Sequence, residues 1–389
     1  MEQLAIFGGT PVRKTPIGYG KQFIDDDDVA AVVETLKYKD LTCGPEIDVM
    51  ERKLCEVTGA KYAVAVSNGT AALHLAALAA GFGEGDEVIV SSITFAASAN
   101  CILYCGAKPV FADIHPETYN MDPDAIEKLI TPRTRGIVAV DFTGQSIEHN
   151  AISAICKKHK LLLIEDAAHA IGTKYQGRPV GSIADMTCFS FHPVKHMTTC
   201  EGGMVTTNNE ELYKKIKAFR AYCITKDPEL LVDKEDGPWH YEMQGLGYNY
   251  RISDVMCALG MNQLKKVDSF VRRRREIAKR YNEEMKDFNH IVLPYQAEGC
   301  NSSWHLYTIL VKEGMRRKAY HKLKEAGIGV DVHYLPVYRH PYYQKHGYKD
   351  VVCQNAEKVY DQIISIPIFY RLKEEEQTYV IEKIADLVM

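Results

Sequence analysis

The chain has 389 residues, of which 46% are hydrophobic and 25% charged, and its formal net charge is −4. That length and composition suit a globular protein with one large domain and a smaller one. They exclude a strongly basic nucleic-acid binder and a protein held to an anionic membrane by charge. The N-terminal MEQLAIFGGTPVRK has no apolar run of secretory length, and no stretch reaches the roughly 18 apolar residues of a membrane span. Eleven cysteines without a C-x-x-C pair read as reduced, mostly buried thiols of a cytoplasmic protein. Cys101 and Cys105 lack a His or Cys partner at zinc-like spacing, so no metal is expected there.

In chain order, the acidic run from Asp25 to Asp28 suits the first turn of a helix, where negative charge opposes the positive helix end. From about residue 60 to 260, strands alternate with helices. A strand at 62–66 leads through Ser67-Asn68-Gly69-Thr70 into the helix-forming run AALHLAALAAGF. Strands at 87–90, 108–113, 136–140 and 161–164 alternate with helices at 95–104, 122–130 and 147–159. Strands at 186–191 and 203–207 and a helix at 210–221 follow. The pattern predicts an α/β fold, a mostly parallel sheet with helices on both faces. The glycine-containing segment 225–250 is long enough to be a functional loop. A charged helix spans 267–285, and its run Arg272 to Arg275 reads as a solvated face. Strands at 305–311, 329–334 and 363–366 with helices at 316–326 and 374–388 suggest a smaller α+β domain. The expected division is 1–265 and 266–389.

Four segments end predicted strands, the edge at which open α/β sheets bind ligands. Ser67-Asn68-Gly69-Thr70 suits a phosphate site at a helix N-terminus, and equally an ordinary helix cap. In LLLIEDAAH, Asp166 stands at a strand's carboxyl end. It could hold a pyridinium nitrogen protonated, cap a helix or bind a metal. In CFSFHPVK, an aromatic-rich strand delivers Lys195 after a Pro-marked turn, and a lysine among apolar residues can become a nucleophile. Most lysines are surface lysines, and His192 and His196 beside it read as packing or hydrogen-bonding residues. Thr198-Thr199-Cys200-Glu201-Gly202-Gly203 reads as a tight turn and little else.

A phosphate loop, the aromatic-containing strand end Thr94-Phe95, Asp166 on a strand end and Lys195 29 residues later, in this order, resemble the layout of fold-type I enzymes that use pyridoxal 5′-phosphate (PLP). Over nearly its whole length the chain resembles the DegT/DnrJ/EryC1/StrS family of sugar aminotransferases. The resembling segments are Phe7-Gly8-Gly9, SNGTAALHLA, SSITFAASAN, GAKPVFADI, GQS, IEDAAHAIG, SFHPVKHMTTCEGGMVTTN, GLGYNYRISD and HYLPVY. The resemblance implies that Lys195 is the catalytic amine and that Asp166 pairs with the cofactor's ring nitrogen. It implies His169 near the phenolic oxygen, Gly69, Thr70 and Ser190 on the phosphate, and Phe95 stacked on the ring. Asn249 would reach the phosphate of a neighbouring subunit, with Arg251 at the same shared site, which implies a homodimer. His333 and Tyr334 would meet the substrate.

The segment from Lys195 to Gly203 resembles members that aminate C4 of a nucleotide sugar with an amino-acid donor, by resemblance L-glutamate. With His333 to Val337 it is most similar to aminotransferases of UDP-4-keto-6-deoxy-N-acetylhexosamines in the pseudaminic acid pathway. Cys200 departs from the small residue usual there. Alternatives are a C3 aminotransferase, a GDP-perosamine-type C4 aminotransferase, a PLP-dependent sugar dehydratase, and a PLP-binding regulator without turnover. A nucleotide-dependent dehydrogenase is disfavoured, because Gly81-Phe-Gly-Glu-Gly follows a helix rather than a strand. No nucleic-acid or membrane partner is expected.

Overall fold

The computed structural model describes residues 15–234 and 237–387. The Phe7-Gly8-Gly9 segment lies outside them. Seven strands form the central sheet, in the spatial order Tyr62–Val66, Gly203–Thr207, Met186–Ser190, Leu162–Asp166, Thr134–Val140, Glu87–Ser91, Lys108–Ala112. Neighbours are parallel except at Gly203–Thr207, which runs antiparallel to both Met186–Ser190 and Tyr62–Val66. This is the mostly parallel, helix-covered sheet expected of fold type I.

Both faces of the sheet are buried, so its strands read as apolar runs. Alternate residues still go to opposite faces. Val64, Val66, Val88, Val90, Val138 and Ile164 pack with the helices Gly69–Ala79 and Ala97–Tyr104. Ile89, Ile137, Ala139 and Leu163 pack on the other side with Ile152 and Ile155 of the helix His149–His159. The same period of two separates the adjacent acids of Leu162–Asp166. Asp166 follows Ile164 to the first face, and Glu165 follows Leu163 to the second.

A second core gathers Ile277, Tyr281 and Met285 with Tyr307, Ile309, Ile364, Ile366 and Ile381, and it takes in Ile17. Its sheet has three short strands, in the order Ile291–Val292, Tyr307–Val311, Ile363–Ile366. The helix Asp26–Tyr38 starts as expected, with Asp25 and Asp28 forming a reciprocal capping box. Asp28 is fully buried and also accepts bonds from Asn262 (2.8 Å) and Gln263 (2.7 Å), which ties this helix to Asp254–Leu264.

Three expectations are corrected. The helix expected at 122–130 spans only Pro123–Glu127. Pro132 disfavours helical backbone in the residue before it, and the chain unwinds towards it. The strand expected at 329–334 forms only one isolated bridge, Asp331 with Ser365, with a second just ahead of it between Ile17 and Ile328. There the chain leaves the sheet edge and carries His333 and Tyr334 to a cavity.

The third correction concerns Arg272 to Arg275, within the helix Val267–Met285. Only Arg272 is exposed. Arg274 is buried at 3% exposure, and its Nη1 donates to the carbonyls of Trp304 (3.2 Å), His305 (3.0 Å) and Ile368 (2.9 Å). Arg275 donates to the carbonyls of Ser302, Gly172 and Asn301. The helical period explains this, because Arg274 falls on the inward stripe with Val267, Phe270, Val271, Ile277, Ala278 and Tyr281.

All eleven cysteines are free thiols, and seven are buried. Among the described residues, no helix is long and apolar enough to cross a membrane.

Candidate active site

A cavity of about 800 Å³ opens at the carboxyl ends of the parallel strands, within the range of small-molecule sites. Gly69, Thr70, Phe95, Asp166, His169, Ser190, Lys195, His333 and Tyr334 all line it. Asn249 and Arg251 do not. Asn249 is exposed and bridges Ala221 through its backbone, and the Arg251 guanidinium lies 5.4 Å from the Tyr222 ring.

The phosphate-loop segment is both cap and potential anion site. Asn68 caps the helix Gly69–Ala79 by accepting from the Ala71 N–H at 2.8 Å. The Gly69 and Thr70 N–H groups, at the positive end of the helix, have no partner among the described residues. A Cβ on Gly69 would come within 2.9 Å of the Ser190 Cβ, so only glycine lets the loop lie against that strand end.

Lys195 sits on the connection between Met186–Ser190 and Gly203–Thr207, just past the sheet edge. Its backbone N–H donates to the His192 carbonyl, while its amine has no hydrogen-bond or ion-pair partner among the described residues. Burial pushes the amine down to about 8, and the Asp166 charge partly opposes this. Below about 8, labelling of Lys195 by an amine-reactive ester in cofactor-free protein should fall about tenfold per pH unit. Surface lysines should still be gaining reactivity well above that pH. Peptide mass analysis across a pH series checks this, and a Lys195 profile that follows the surface lysines contradicts it.

Asp166 is 4% exposed. Its Oδ2 accepts from Ser98 Oγ at 2.6 Å and its Oδ1 from the Ala168 N–H at 3.1 Å. Burial pushes the carboxyl up, and the Ser98 bond, the Ala168 bond and the Lys195 charge pull it part of the way back. His169, His196 and His305 form a buried group behind Lys195. The His169 and His305 rings lie 4.3 Å apart, and His196 and His305 5.3 Å apart. Burial holds all three imidazoles well below their ordinary range. His169 Nε2 is 3.4 Å from the Tyr334 hydroxyl, and its Nδ1 is buried without a partner. His333 pairs with the Ser365 hydroxyl through Nδ1 at 2.8 Å, and burial lowers it to about 4. Phe95 is 61% exposed, with its ring centroid 6.1 Å from that of Tyr334.

On the opposite face of the sheet, His149 Nε2 lies 2.8 Å from Glu165 Oε1. Asp141, His149 and Glu165 place one ligand atom each within 4.8 Å of one another. Burial and the Glu165 charge push the Asp141 carboxyl well up. Burial also pushes Glu165 up, but His149 and bonds from Thr187 and Asp141 bring it below its ordinary value. His149 Nδ1 and Asp141 Oδ2 remain buried without a hydrogen-bond partner among the described residues.

Sequence reasoning missed several cavity residues. Tyr19 comes from the segment ahead of the first helix. Tyr250 reaches the cavity from between Asn249 and Arg251, with its hydroxyl 3.1 Å from His74 Nδ1. Glu201, in the segment expected to be only a turn, lies on the cavity wall. Ser98, in the first turn of the helix Ala97–Tyr104, is buried behind Asp166 and also went unread.

Residues 22–385 match the DegT/DnrJ/EryC1/StrS aminotransferase family. A UDP-4-amino-4,6-dideoxy-N-acetyl-beta-L-altrosamine transaminase of Campylobacter jejuni is 40% identical over 370 residues, covering 94% of this chain and 95% of that protein. Among solved structures, Helicobacter pylori PseC, an aminotransferase of pseudaminic acid biosynthesis, superposes with a TM-score of 0.89 at 34% identity. It covers 96% of this chain and 99% of that one. The putative sugar aminotransferase Spr1654 of Streptococcus pneumoniae, in its pyridoxamine-phosphate form, gives a TM-score of 0.90 at 31% identity, covering 95% and 98%. The chain belongs to the DegT/DnrJ/EryC1/StrS aminotransferase family, and its architecture is that of the fold-type I members.

Proposed function

We propose that this aminotransferase uses PLP to move an amino group from an amino acid, L-glutamate by the family's habit, to C4 of a UDP-linked 4-keto-6-deoxy-N-acetylhexosamine. The observation that carries the chemistry is the Lys195 amine. It is lowered to about 8 and unpaired, in a cavity of about 800 Å³ that also holds Asp166. The substrate assignment is supported by the relatives' substrates and by the Lys195 and His333 segments.

The residues present fit the cofactor. The unpartnered Gly69 and Thr70 N–H groups, with the Ser190 hydroxyl, make an anion cradle that a Cβ at position 69 would fill. A buried carboxylate at Asp166 suits a protonated ring nitrogen, and the orphaned His169 Nδ1 suits a polar ring substituent. When bound there, PLP supplies an electron sink that makes a neighbouring C–H bond acidic.

The chain does the rest. Lys195 takes a proton from the amino-acid carbon and returns it at the sugar carbon, which its lowered basicity allows near neutral pH. Asp166 would hold the proton on the ring nitrogen and Phe95 would cover the ring, while Tyr334 and His333 line the same cavity on the side left for the sugar. The neutral imidazoles of His169, His196 and His305 put no positive charge beside the Lys195 amine, which would otherwise disfavour its protonated form further.

The active form is a homodimer on this proposal, with Asn249 and Arg251 serving the partner's cavity. Two features support it: both residues lie outside their own chain's cavity, and the neighbouring Trp239 and Leu246 leave apolar surface at 69% and 76% exposure. The split at 265/266 and a cytoplasmic location are proposed on the same footing, the former supported by the second core, whose buried residues apart from Ile17 all come from Ile277 onward.

The reaction is tested by offering UDP-, GDP- and dTDP-linked 4-keto sugars with glutamate and identifying products by mass spectrometry. The expected product is the 4-amino UDP sugar. A deoxygenated product, or no product from any sugar, refutes the assignment.

A further inference from the structure

Asp166 is held by two donors, and only one of them is a side chain. Ser98 is fully buried in the first turn of the helix Ala97–Tyr104, on the sheet face that Asp166 shares. Its Oγ lies 2.6 Å from Asp166 Oδ2, 2.7 Å from Thr94 Oγ1 and 3.2 Å from the Phe95 carbonyl. A serine hydroxyl has one proton to give. The carboxylate is both the nearest acceptor and the charged one, so it takes that proton in a charge-assisted bond. The Ser98 oxygen is then free to accept, and the buried Thr94 hydroxyl is placed to donate to it. The direction of the chain is therefore fixed, from Thr94 to Ser98 to Asp166, and each bond polarises the next.

We propose that Ser98, oriented by Thr94, is a positioning residue for the transamination. It fixes the Asp166 carboxylate in the one rotation that presents it to the cofactor's ring nitrogen. This rests on the PLP reading above. The Ala168 N–H holds Oδ1 and Ser98 holds Oδ2, so the carboxylate plane is pinned at both oxygens. Asp166 itself lines the cavity. Without Ser98 the carboxylate keeps one anchor in a buried place where a bare negative charge is disfavoured. It then rotates or takes up a proton, and in either case supports the ring-nitrogen proton less well.

The test compares Ser98→Ala, Ser98→Thr and Asp166→Asn with the parent protein, each loaded with PLP carrying nitrogen-15 in its ring. Ser98→Ala should move the ring-nitrogen resonance towards the unprotonated position and lower kcat on the order of 10- to 100-fold. The KM for the nucleotide sugar should stay within about twofold, since a transition-state interaction is lost and not a binding one. The acid limb of the kcat profile should move to higher pH, because Asp166 protonates more easily. Ser98→Thr keeps the hydroxyl and should restore the resonance and most of the rate.

A Ser98→Ala protein that unfolds at the parent's temperature with unchanged resonance and kcat overturns the proposal. If Ser98→Ala loses rate only through instability, Ser98→Thr must still show the parental resonance, and a shifted one overturns it as well. Should Asp166→Asn also leave the resonance unmoved, the cofactor reading of Asp166 fails along with this one. A shift with Asp166→Asn but not with Ser98→Ala removes Ser98 alone.

Discussion

Replacing Lys195 with Ala should abolish transamination, by at least about 10³-fold in kcat, without unfolding the protein. The adjacent His196 cannot take over the amine's work. His196 is adjacent in sequence but buried, with Nε2 3.1 Å from the Ser303 carbonyl, and burial keeps it from binding a proton. Lys195→Arg should fail as completely, because a guanidinium does not give up its proton.

The folded state should gain from the loss. An amine lowered from its ordinary value to about 8 is penalised in the folded protein whenever it is protonated, so the penalty is present below about 8 and disappears above the unfolded value. Removing it should raise the stability of cofactor-free protein by about 1–3 kcal/mol at neutral pH. It should add little at strongly alkaline pH. Chemical denaturation reads the stability. Intact mass after borohydride reduction reads covalent attachment of the cofactor, which the variant should lack. Appreciable turnover by Lys195→Ala removes the central claim.

The second large effect is expected far from that amine. Arg274→Met should destabilise the fold by about 3–5 kcal/mol, because three buried carbonyls lose their donor together. Among the described residues, Arg274 has no acidic partner, and its guanidinium bonds only to the Trp304, His305 and Ile368 carbonyls. Arg274→Lys should recover only part of the loss, because a single ammonium lacks the planar fork of donors. Exposed Arg272→Ala is the control and should stay within about 0.5 kcal/mol. Denaturant midpoints decide the matter, and equal shifts for Arg272→Ala and Arg274→Met contradict the reading.

Much of this was legible in the sequence because it rests on short-range periodicity. The strand–helix alternation, the helix Val267–Met285 and the position of Asp166 at a strand end all follow from local pattern. So does the choice between the paired acids, once the strand's period of two is applied to Glu165 and Asp166. Arg274 was readable as well, since counting 3.6 residues from Phe270 places it on the inward stripe, but four consecutive arginines suggested solvent instead.

What could not be read depends on distant segments meeting. The 329–334 segment has strand-like composition but gains only the Asp331–Ser365 bridge, because the chain is held by Ile17 at Ile328 just ahead of it and then turns to the cavity. Tyr19 and Tyr250 reach that cavity from segments far apart in the chain, and Tyr19 carries no local signal. Asn249 and Arg251 carry family-like motifs, yet one chain alone gives them no place in its own cavity.

The lone antiparallel strand bears on how the chain comes together. Gly203–Thr207 can zip onto Met186–Ser190 as a near-neighbour hairpin, whereas its other edge must capture Tyr62–Val66 from far back in the chain. Late, distant closures of this kind carry most of the loop entropy in a fold. That second pairing is what brings Gly69 against Ser190, with Gly203 so close to Asn68 that a Cβ would stand 2.6 Å from its carbonyl oxygen. The anion cradle is thus absent from any chain that has not completed the most remote strand pairing of the central sheet. A phosphate-bearing ligand can therefore lend its binding energy only to the finished fold.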